Sequence, residues 1–200
     1  MKEICPICKG TKHVLKDTEQ GKKLVRCRCL VRDEYRRKLE ALNFDFSNIE
    51  YLIDESGFRF AEDNEGVSAK KIYEVYEQRR SSNKLIVLNC DLSVTKTKFI
   101  LSQLAAKIPS NDILYQDIAD FVNASFQNEK IQLKRLNIVT TLFATSKQLK
   151  AKFINDLNLQ AKLENKILIL LVDDFRALKT EIPELAILFS TKNTLVLPKI

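Results

Sequence analysis

The sequence predicts an α/β protein with a small N-terminal module of a different character. Four of the five cysteines lie within the first 29 residues, in two close pairs. From residue 84 onward, short apolar runs alternate with amphipathic stretches, and residues 85–88 and 167–172 are apolar throughout. Such runs are typical of strands covered on both faces, as in a parallel sheet flanked by helices. We therefore expect a module over residues 1–42, a linker over 43–67 and a parallel-sheet domain over 68–200.

The four N-terminal cysteines have the spacing of a metal site. Cys5 and Cys8 form a Cys-x-x-Cys turn around Pro6, and Cys27 and Cys29 form a tighter Cys-x-Cys pair. Two such pairs can complete a tetrahedron of thiolates around Zn²⁺ at about 2.3 Å per bond. The sequence therefore predicts a zinc ribbon or knuckle. Its zinc is expected to be structural, because four thiolates leave no open coordination position.

Other uses of these cysteines are less favoured. Disulfides are the first alternative, and free thiols the second. Residues 1–3 lead into the motif without the apolar stretch of a secretory signal, which argues against an oxidising compartment. His13 could replace one cysteine as a ligand, although a lone histidine is more often structural.

We expect a soluble, cytoplasmic protein, since no apolar run approaches the roughly 20 residues of a membrane span.

Local patterns predict the elements of the first 67 residues. Residues 14–16 and 23–25 are expected to pair as a hairpin across Gln20 and Gly21. Residues 31–42 predict an amphipathic helix. The linker is expected to pack through its phenylalanines. The apolar positions of the helix and of the linker are Val31, Tyr35, Leu39, Leu42, Phe44, Phe46, Phe58 and Phe60.

The remaining elements alternate. Ser68 is expected to cap a helix that runs to about Arg80. A strand over 85–88 is followed by helices over 97–107 and 113–126. A strand over 137–143 leads into a helix from about Ser146 to Leu157. A strand over 166–172, a short helix over 183–189 and a strand over 194–197 complete the pattern.

Positive charge is concentrated near the N-terminus. The chain carries a formal net charge of +7, and residues 1–40 hold twelve lysines and arginines against six acidic residues. A patch of this kind fits a polyanion such as nucleic acid, or an acidic protein surface. The alternative is a solvated basic face that keeps the module soluble. The candidate binding residues are Arg26, Arg28, Arg32, Arg36 and Arg37.

The loop after the first expected domain strand has part of a P-loop pattern. Lys96 and Thr97 stand where G-x-x-x-x-G-K-[ST] places its lysine and its magnesium-binding hydroxyl. Cys90 and Thr95 occupy the two glycine positions, and Asp91 adds a negative charge where phosphates would lie. Without glycine, the loop is poorly suited to the backbone nest that holds phosphates.

A second part of a nucleotide site follows the strand over 166–172. Asp173 and Asp174 have the Walker B arrangement, in which one carboxylate serves Mg²⁺ and its neighbour polarises a water. Together with Lys96 and Thr97 they predict a P-loop-type fold. The glycine losses make ATP and Mg²⁺ binding doubtful, and we favour the interpretation that both pairs are vestigial.

The chain resembles the helicase loaders of the DnaC/DnaI type, a phage and bacterial group of IstB-like AAA+ proteins. The matching stretches are Cys-Pro-Ile-Cys-Lys-Gly-Thr-Lys-His-Val (5–14), Val-Arg-Cys-Arg-Cys (25–29), Leu-Glu-Ala-Leu-Asn-Phe (39–44), Phe-Ala-Thr-Ser-Lys-Gln-Leu-Lys (143–150) and Leu-Val-Asp-Asp-Phe (171–175). The resemblance implies a RecA-like AAA+ core that helps to place a replicative helicase on DNA. It also implies that residues 143–150 are the second core strand and its helix, and that the zinc module docks onto the helicase.

The chain departs from that family in several places. Lys96 and Asp173 are 77 positions apart, so residues 110–136 resemble an insertion. Residues 188–193 contain no arginine where the family carries its arginine finger. The sequence ends soon after the strand over 194–197, so we expect a truncated core. Each loss, that of the two P-loop glycines included, removes a different catalytic element.

Three functions remain open at this point. The first is an adaptor in DNA replication that binds a replicative helicase or a loader-like ATPase and does not hydrolyse ATP. The second is an active AAA+ ATPase helicase loader that binds ATP and single-stranded DNA. The third is a zinc-dependent DNA-binding protein, whose affinity should fall steeply with salt.

Overall fold

A computed structural model describes residues 4–78, 85–89, 93–129, 131–141, 146–190 and 194–197. The described chain has an N-terminal cysteine-bearing module, an aromatic-rich connecting segment and an α/β domain built on a five-stranded parallel sheet. The predicted α/β class and parallel sheet are therefore confirmed. None of the described helices is both long enough and apolar enough to cross a membrane.

The N-terminal module consists of a hairpin and one helix. Strands β1 (His13–Thr18) and β2 (Gly21–Arg26) pair in antiparallel register, with Leu15 opposite Leu24. Helix α1 (Arg28–Glu40) follows directly. The predicted hairpin and amphipathic helix are both confirmed, and the helix begins three residues earlier than its apolar pattern indicates.

The segment over 43–67 packs more tightly than a linker. It contains a 3₁₀ turn, Glu50–Leu52, and a two-residue hairpin of β3 (Ile53–Asp54) and β4 (Gly57–Phe58). The segment and α1 share a buried core with a helix of the α/β domain. The buried members of that core are Val31, Leu39, Phe46, Ile49, Ile53, Phe58, Ala105 and Ala106. The predicted packing of Phe46 and Phe58 is confirmed, and it fastens the module to the domain.

Five parallel strands form the sheet in the order β6-β7-β8-β5-β9. The strands are β5 (Leu85–Asn89), β6 (Ile113–Asp117), β7 (Leu136–Thr140), β8 (Ile167–Val172) and β9 (Thr194–Leu197). β5 and β8 are adjacent, and nearly every side chain of the two strands is buried. This matches the expectation drawn from their uninterrupted apolar runs.

Helices cover both faces of the sheet. On one face α2 (Asn64–Glu77) and α3 (Val94–Lys107) pack on Ile86, Leu88 and their neighbours. On the other, α4 (Ile118–Phe126), α5 (Lys147–Leu163) and α6 (Phe175–Glu181) pack on Leu85, Val87 and theirs. Alternate residues of β5 therefore contribute to opposite cores, as strand geometry requires.

Three element predictions are wrong. Residues 113–126 do not form one helix, because 113–117 are strand β6 and only the remainder is helical. Helix α2 is capped by Asp63, whose side chain accepts from the backbone N–H of Gly66, and Ser68 lies buried within it. Residues 183–189 contain a 3₁₀ turn, Pro183–Leu185, in place of a helix.

The extra strand also changes one assignment that the family resemblance implied. Counted along the chain, β5 and β6 are the first two strands of the sheet. β7 is therefore the third strand, and α5 is the helix that follows it, whereas the resemblance implied the second strand and its helix. Residues 142–145, which include Phe143, lie outside the described part of the chain.

Candidate metal centre and the crevice at the sheet edge

Four cysteine side chains meet in one cluster. The sulfur atoms of Cys5, Cys8, Cys27 and Cys29 all lie within 4.8 Å of one another. The Sγ atoms of Cys5 and Cys27 are 3.9 Å apart, and those of Cys8 and Cys29 are 3.4 Å apart. Sulfurs at the corners of a tetrahedron with 2.3 Å zinc bonds would be separated by about 3.8 Å. The cluster could therefore hold one metal ion, and its four-sulfur donor set is compatible with structural zinc.

Short-range backbone structure positions the first cysteine pair. The N–H of Lys9 donates to the carbonyl of Cys5 at 2.8 Å, and the N–H of Thr11 donates to that of Cys8 at 2.9 Å. Gly10 has a φ of +91°, a conformation that glycine adopts without strain. The result is a tight turn that directs both thiols to one side.

The hairpin and α1 position the second pair. The N–H of Cys27 donates to the carbonyl of Lys12 at 2.8 Å, which joins the end of β2 to the first turn. Cys27 is the N-cap residue of α1, and Cys29 lies in its first turn. Cys8 and Cys27 are 5% and 1% exposed, so the metal would lie under the module surface.

The four thiols perturb one another strongly. Burial raises the pKa of Cys27, and burial together with the neighbouring sulfurs raises the pKa of Cys29 to about 12. Burial also acts on Cys8, but hydrogen bonds from Cys29 and from backbone N–H groups outweigh it and lower that pKa to about 6. Backbone N–H donors lower the pKa of Cys5. Neighbouring thiols cannot all ionise without a compensating cation, and a bound dication supplies one.

His13 stays outside the cluster. It is exposed at the start of β1, and its Nδ1 lies 3.3 Å from the carbonyl oxygen of Thr11. The alternative in which it replaces a cysteine is not supported by this arrangement.

Three of the five candidate arginines contact residues of the module or of the connecting segment. They are Arg26, which pairs with Glu34; Arg32, which pairs with Glu50; and Arg36, whose guanidinium lies 5.3 Å from the ring centre of Phe46. Arg28 and Arg37 form no ion pair with the described residues. Two of the five arginines are therefore paired with carboxylates, and the net positive charge of residues 1–40 remains.

A second candidate site lies where β5 and β8 end. The helices that follow these adjacent strands, α3 and α6, lie on opposite faces of the sheet. Ligands of open α/β sheets bind in the crevice at such a switch point. Asn89 at the end of β5 accepts a hydrogen bond from the N–H of Phe175 at 2.9 Å, which joins the two loops.

The structure places Lys96 and Thr97 in the first turn of α3, which Ser93 caps. The Nζ of Lys96 lies 3.5 Å from a carboxylate oxygen of Glu65 on α2. Thr97 is 1% exposed, and its hydroxyl has no hydrogen-bond partner among the described residues. Residues 90–92, which include Cys90 and Asp91, lie outside the described part of the chain.

Asp173 and Asp174 follow β8, and both are exposed. Asp174 is the N-cap of α6, where its side chain accepts from the N–H groups of Arg176 and Ala177 at 2.8 and 3.2 Å. Capping is the structural role that paired aspartates after a strand often have. The Lys96-Thr97 pair and the Asp173-Asp174 pair thus lie near the same carboxyl ends of the parallel strands. Lys96 and Asp174 already have partners within the protein.

Sequence reasoning missed Glu65 and Asn89, which hold the crevice residues in place. It also missed the outward position of Leu15 and Leu24. A signal for these two was present, since Val14-Leu15 and Leu24-Val25 are adjacent apolar pairs, and a strand directs neighbouring side chains to opposite faces.

No family model matches the chain, and no curated protein matches its sequence.

Proposed function

We propose that the chain is a zinc-stabilised adaptor that acts by binding another protein. The observation that carries this proposal is the exposure of large apolar side chains on the outside of the cysteine module. Ile4, Ile7, Leu15 and Leu24 are 75%, 65%, 67% and 63% exposed. Leu15 and Leu24 lie opposite each other in the hairpin, so their exposed side chains form one apolar pair. Adjoining exposed apolar side chains are the kind of surface that protein partners cover.

The state of the crevice supports binding over catalysis. Lys96 is drawn towards Glu65, and Asp174 caps α6. A lysine that must reach phosphates would first have to leave its carboxylate partner. Such an arrangement favours the vestigial interpretation of both half-motifs and, with it, an adaptor that does not hydrolyse ATP.

The finer proposal concerns fold and partner. We infer a degenerate P-loop domain of the AAA+ type, which the adjacency of β5 and β8 and the residues after them support. The family resemblance points to a replicative helicase or a loader-like ATPase as the partner, in DNA replication or its control. The protein would then work in the cytoplasm, or in the host cytoplasm if a phage encodes it.

Co-purification tests the proposal. The full chain should retain the replicative helicase of its host, or the associated loader, at near-stoichiometric amounts. The Cys5→Ser variant should lose this binding along with its zinc, while Leu163→Ser, on the far side of the protein in α5, should keep it. Wild-type protein that retains neither ATPase would overturn the assignment of the partner.

One observation favours a second candidate, an active ATPase completed by a partner subunit. The buried, unpartnered hydroxyl of Thr97 stands where a P-loop places its magnesium ligand. Calorimetric titration with Mg-ATP distinguishes the two candidates. Binding that Lys96→Ala abolishes would support the ATPase, and heats indistinguishable from buffer, with and without the partner, would eliminate it.

A further inference from the structure

A groove runs along the outer edge of the hairpin. It has a volume of about 770 Å³ and lies between β2 and the turn that joins β3 to β4. Leu24 and Val25 line one wall, and residues 54–56 line the other. Leu24 is 63% exposed, so the groove offers an apolar contact at its rim.

The groove continues into a second recess of about 420 Å³ beside α1. The two share Arg26, Glu55 and Ser56, and the second extends to Tyr35 and Lys38. Two adjoining recesses that share lining residues can hold an extended segment that passes through both.

The wall formed by β2 is an open strand edge. β2 pairs with β1 on one side only, in a sheet of two strands. Among the described residues, no backbone hydrogen bond reaches Gly21–Arg26 from the other side. An edge of this kind presents unpaired N–H and C=O groups that another strand can use.

The charges around the groove are unevenly compensated. Three cations have acidic partners in the module or the connecting segment: Lys16 with Glu55, Arg26 with Glu34, and Arg59 with Asp54. Arg28 and Lys38 have none among the described residues. Lys38 is half-buried, its Nζ donates to the carbonyl of Ala106 at 3.0 Å, and burial lowers its pKa. A carboxylate from outside would stabilise its charged form.

We propose that this groove binds an extended acidic segment of a protein partner, which adds to β2 as a third strand. An apolar side chain of the segment would cover Leu24, and its carboxylates would meet Arg28 and Lys38. This proposal adds a binding site to the proposed adaptor function. It rests on that function only where it identifies the partner as a helicase or loader. A nucleic acid fits less well, because it offers no backbone donors for the strand edge and no aliphatic side chain for Leu24.

Peptide selection tests the groove directly. A library of random 12-residue peptides is selected on the zinc-loaded full chain, and the enriched peptides are measured by fluorescence anisotropy. We expect enrichment of aspartate and glutamate alternating with apolar residues. Arg28→Glu and Leu24→Asp should each weaken binding at least tenfold, and Leu163→Asp on α5 should leave it unchanged. The proposal would be overturned if no peptides were enriched, or if Arg28→Glu and Leu24→Asp bound the peptides as tightly as the wild-type chain does.

Backbone methylation separates strand addition from other binding modes. N-methylation of the best peptide should cost about fivefold or more at alternate residues, those whose N–H groups pair with β2, and little at the residues between them. Equal effects at all positions would reject the third strand. A dT20 oligonucleotide that displaces the peptide at 0.15 M salt would reassign the groove to nucleic acid.

The groove and the proposed partner can fail separately. If the helicase binds the wild-type protein and Leu24→Asp equally, the groove is not the binding site, but the adaptor function is still supported. If acidic peptides bind the groove but neither helicase nor loader binds the chain, the groove stands and the partner is a different acidic protein.

Discussion

The cysteine cluster and the crevice at the sheet edge differ in what satisfies their residues. The cluster brings four thiols within 4.8 Å of one another, and a bound cation would stabilise their ionised forms. In the crevice, Lys96 lies beside Glu65 and Asp174 caps a helix. One region has the donor set of a metal site, whereas key residues of the other already support the fold.

This contrast gives a criterion that the sequence motifs lack. The cluster matches a known pattern by residue type and spacing, and the crevice matches one in part, without its two glycines. The cluster also meets the geometric requirement of its chemistry, because its sulfur separations bracket those of a zinc tetrahedron. The crevice residues occur in the order of a nucleotide-binding motif, but two of the charged ones, Lys96 and Asp174, make contacts within the fold.

The largest effect is expected from the cluster. Cys27→Ser removes a candidate ligand that is 1% exposed and should abolish zinc binding. Structural zinc contributes about 10–16 kcal/mol in small zinc-finger peptides, so the module should lose its cooperative structure. Metal analysis should fall from one zinc per chain to none, and Cys90→Ser should retain one. Retention of stoichiometric zinc by Cys27→Ser would show that this cysteine is not a ligand.

The next effect tests whether the module and the domain unfold together. Phe58 is 3% exposed, and its ring centre lies 6.1 Å from that of Tyr35 and 5.5 Å from that of Phe60. Phe58→Ala should destabilise the protein by about 3–5 kcal/mol in urea unfolding. Phe126→Ala, whose ring is 73% exposed, should change stability by less than about 0.5 kcal/mol. Equal effects of the two substitutions would mean that the connecting segment is a loose linker.

A smaller effect separates capping from catalysis at Asp174. Asp174→Ala should cost about 1 kcal/mol through loss of the N-cap of α6. Asp174→Asn should restore most of that stability, since asparagine caps as well as aspartate does but cannot act as a Walker B carboxylate. Thermal unfolding of the three proteins measures the difference. An Asp174→Asn variant as unstable as Asp174→Ala would contradict the capping role.

The smallest effect concerns Lys96. Its ion pair with Glu65 is partly exposed, so Lys96→Ala should cost no more than about 1 kcal/mol. A double-mutant cycle with Glu65→Gln should give a coupling energy of about 0.2–1 kcal/mol. Additive effects of the two substitutions would mean that Lys96 is not held by Glu65.

The features that the sequence predicted correctly are those that depend on local pattern. The cysteine cluster is built from one short turn and the start of α1, each with a closely spaced cysteine pair, and β5 and β8 are uninterrupted apolar runs. β6 was missed because its residues are mostly half-buried at the sheet edge, and α4 begins at the residue after it. Asp117 both ends the strand and caps the helix, so no loop marks the boundary.

The packing of residues 43–67 was underestimated for a different reason. Phe46 and Phe58 are buried against α1 and against Ala105 and Ala106 of α3. Contacts between segments so distant in sequence leave no periodic signal. The pairing of Lys96 with Glu65 was unpredictable on the same grounds, since 31 positions separate them.

The most direct test of the account compares binding of one helicase or loader ATPase to three proteins by surface plasmon resonance. These are the wild-type chain, Cys27→Ser and Lys96→Ala, each measured with and without Mg-ATP. The account predicts that Cys27→Ser loses binding, whereas Lys96→Ala binds like wild type under both conditions. Binding that survives Cys27→Ser but is lost, together with its ATP dependence, in Lys96→Ala would contradict it.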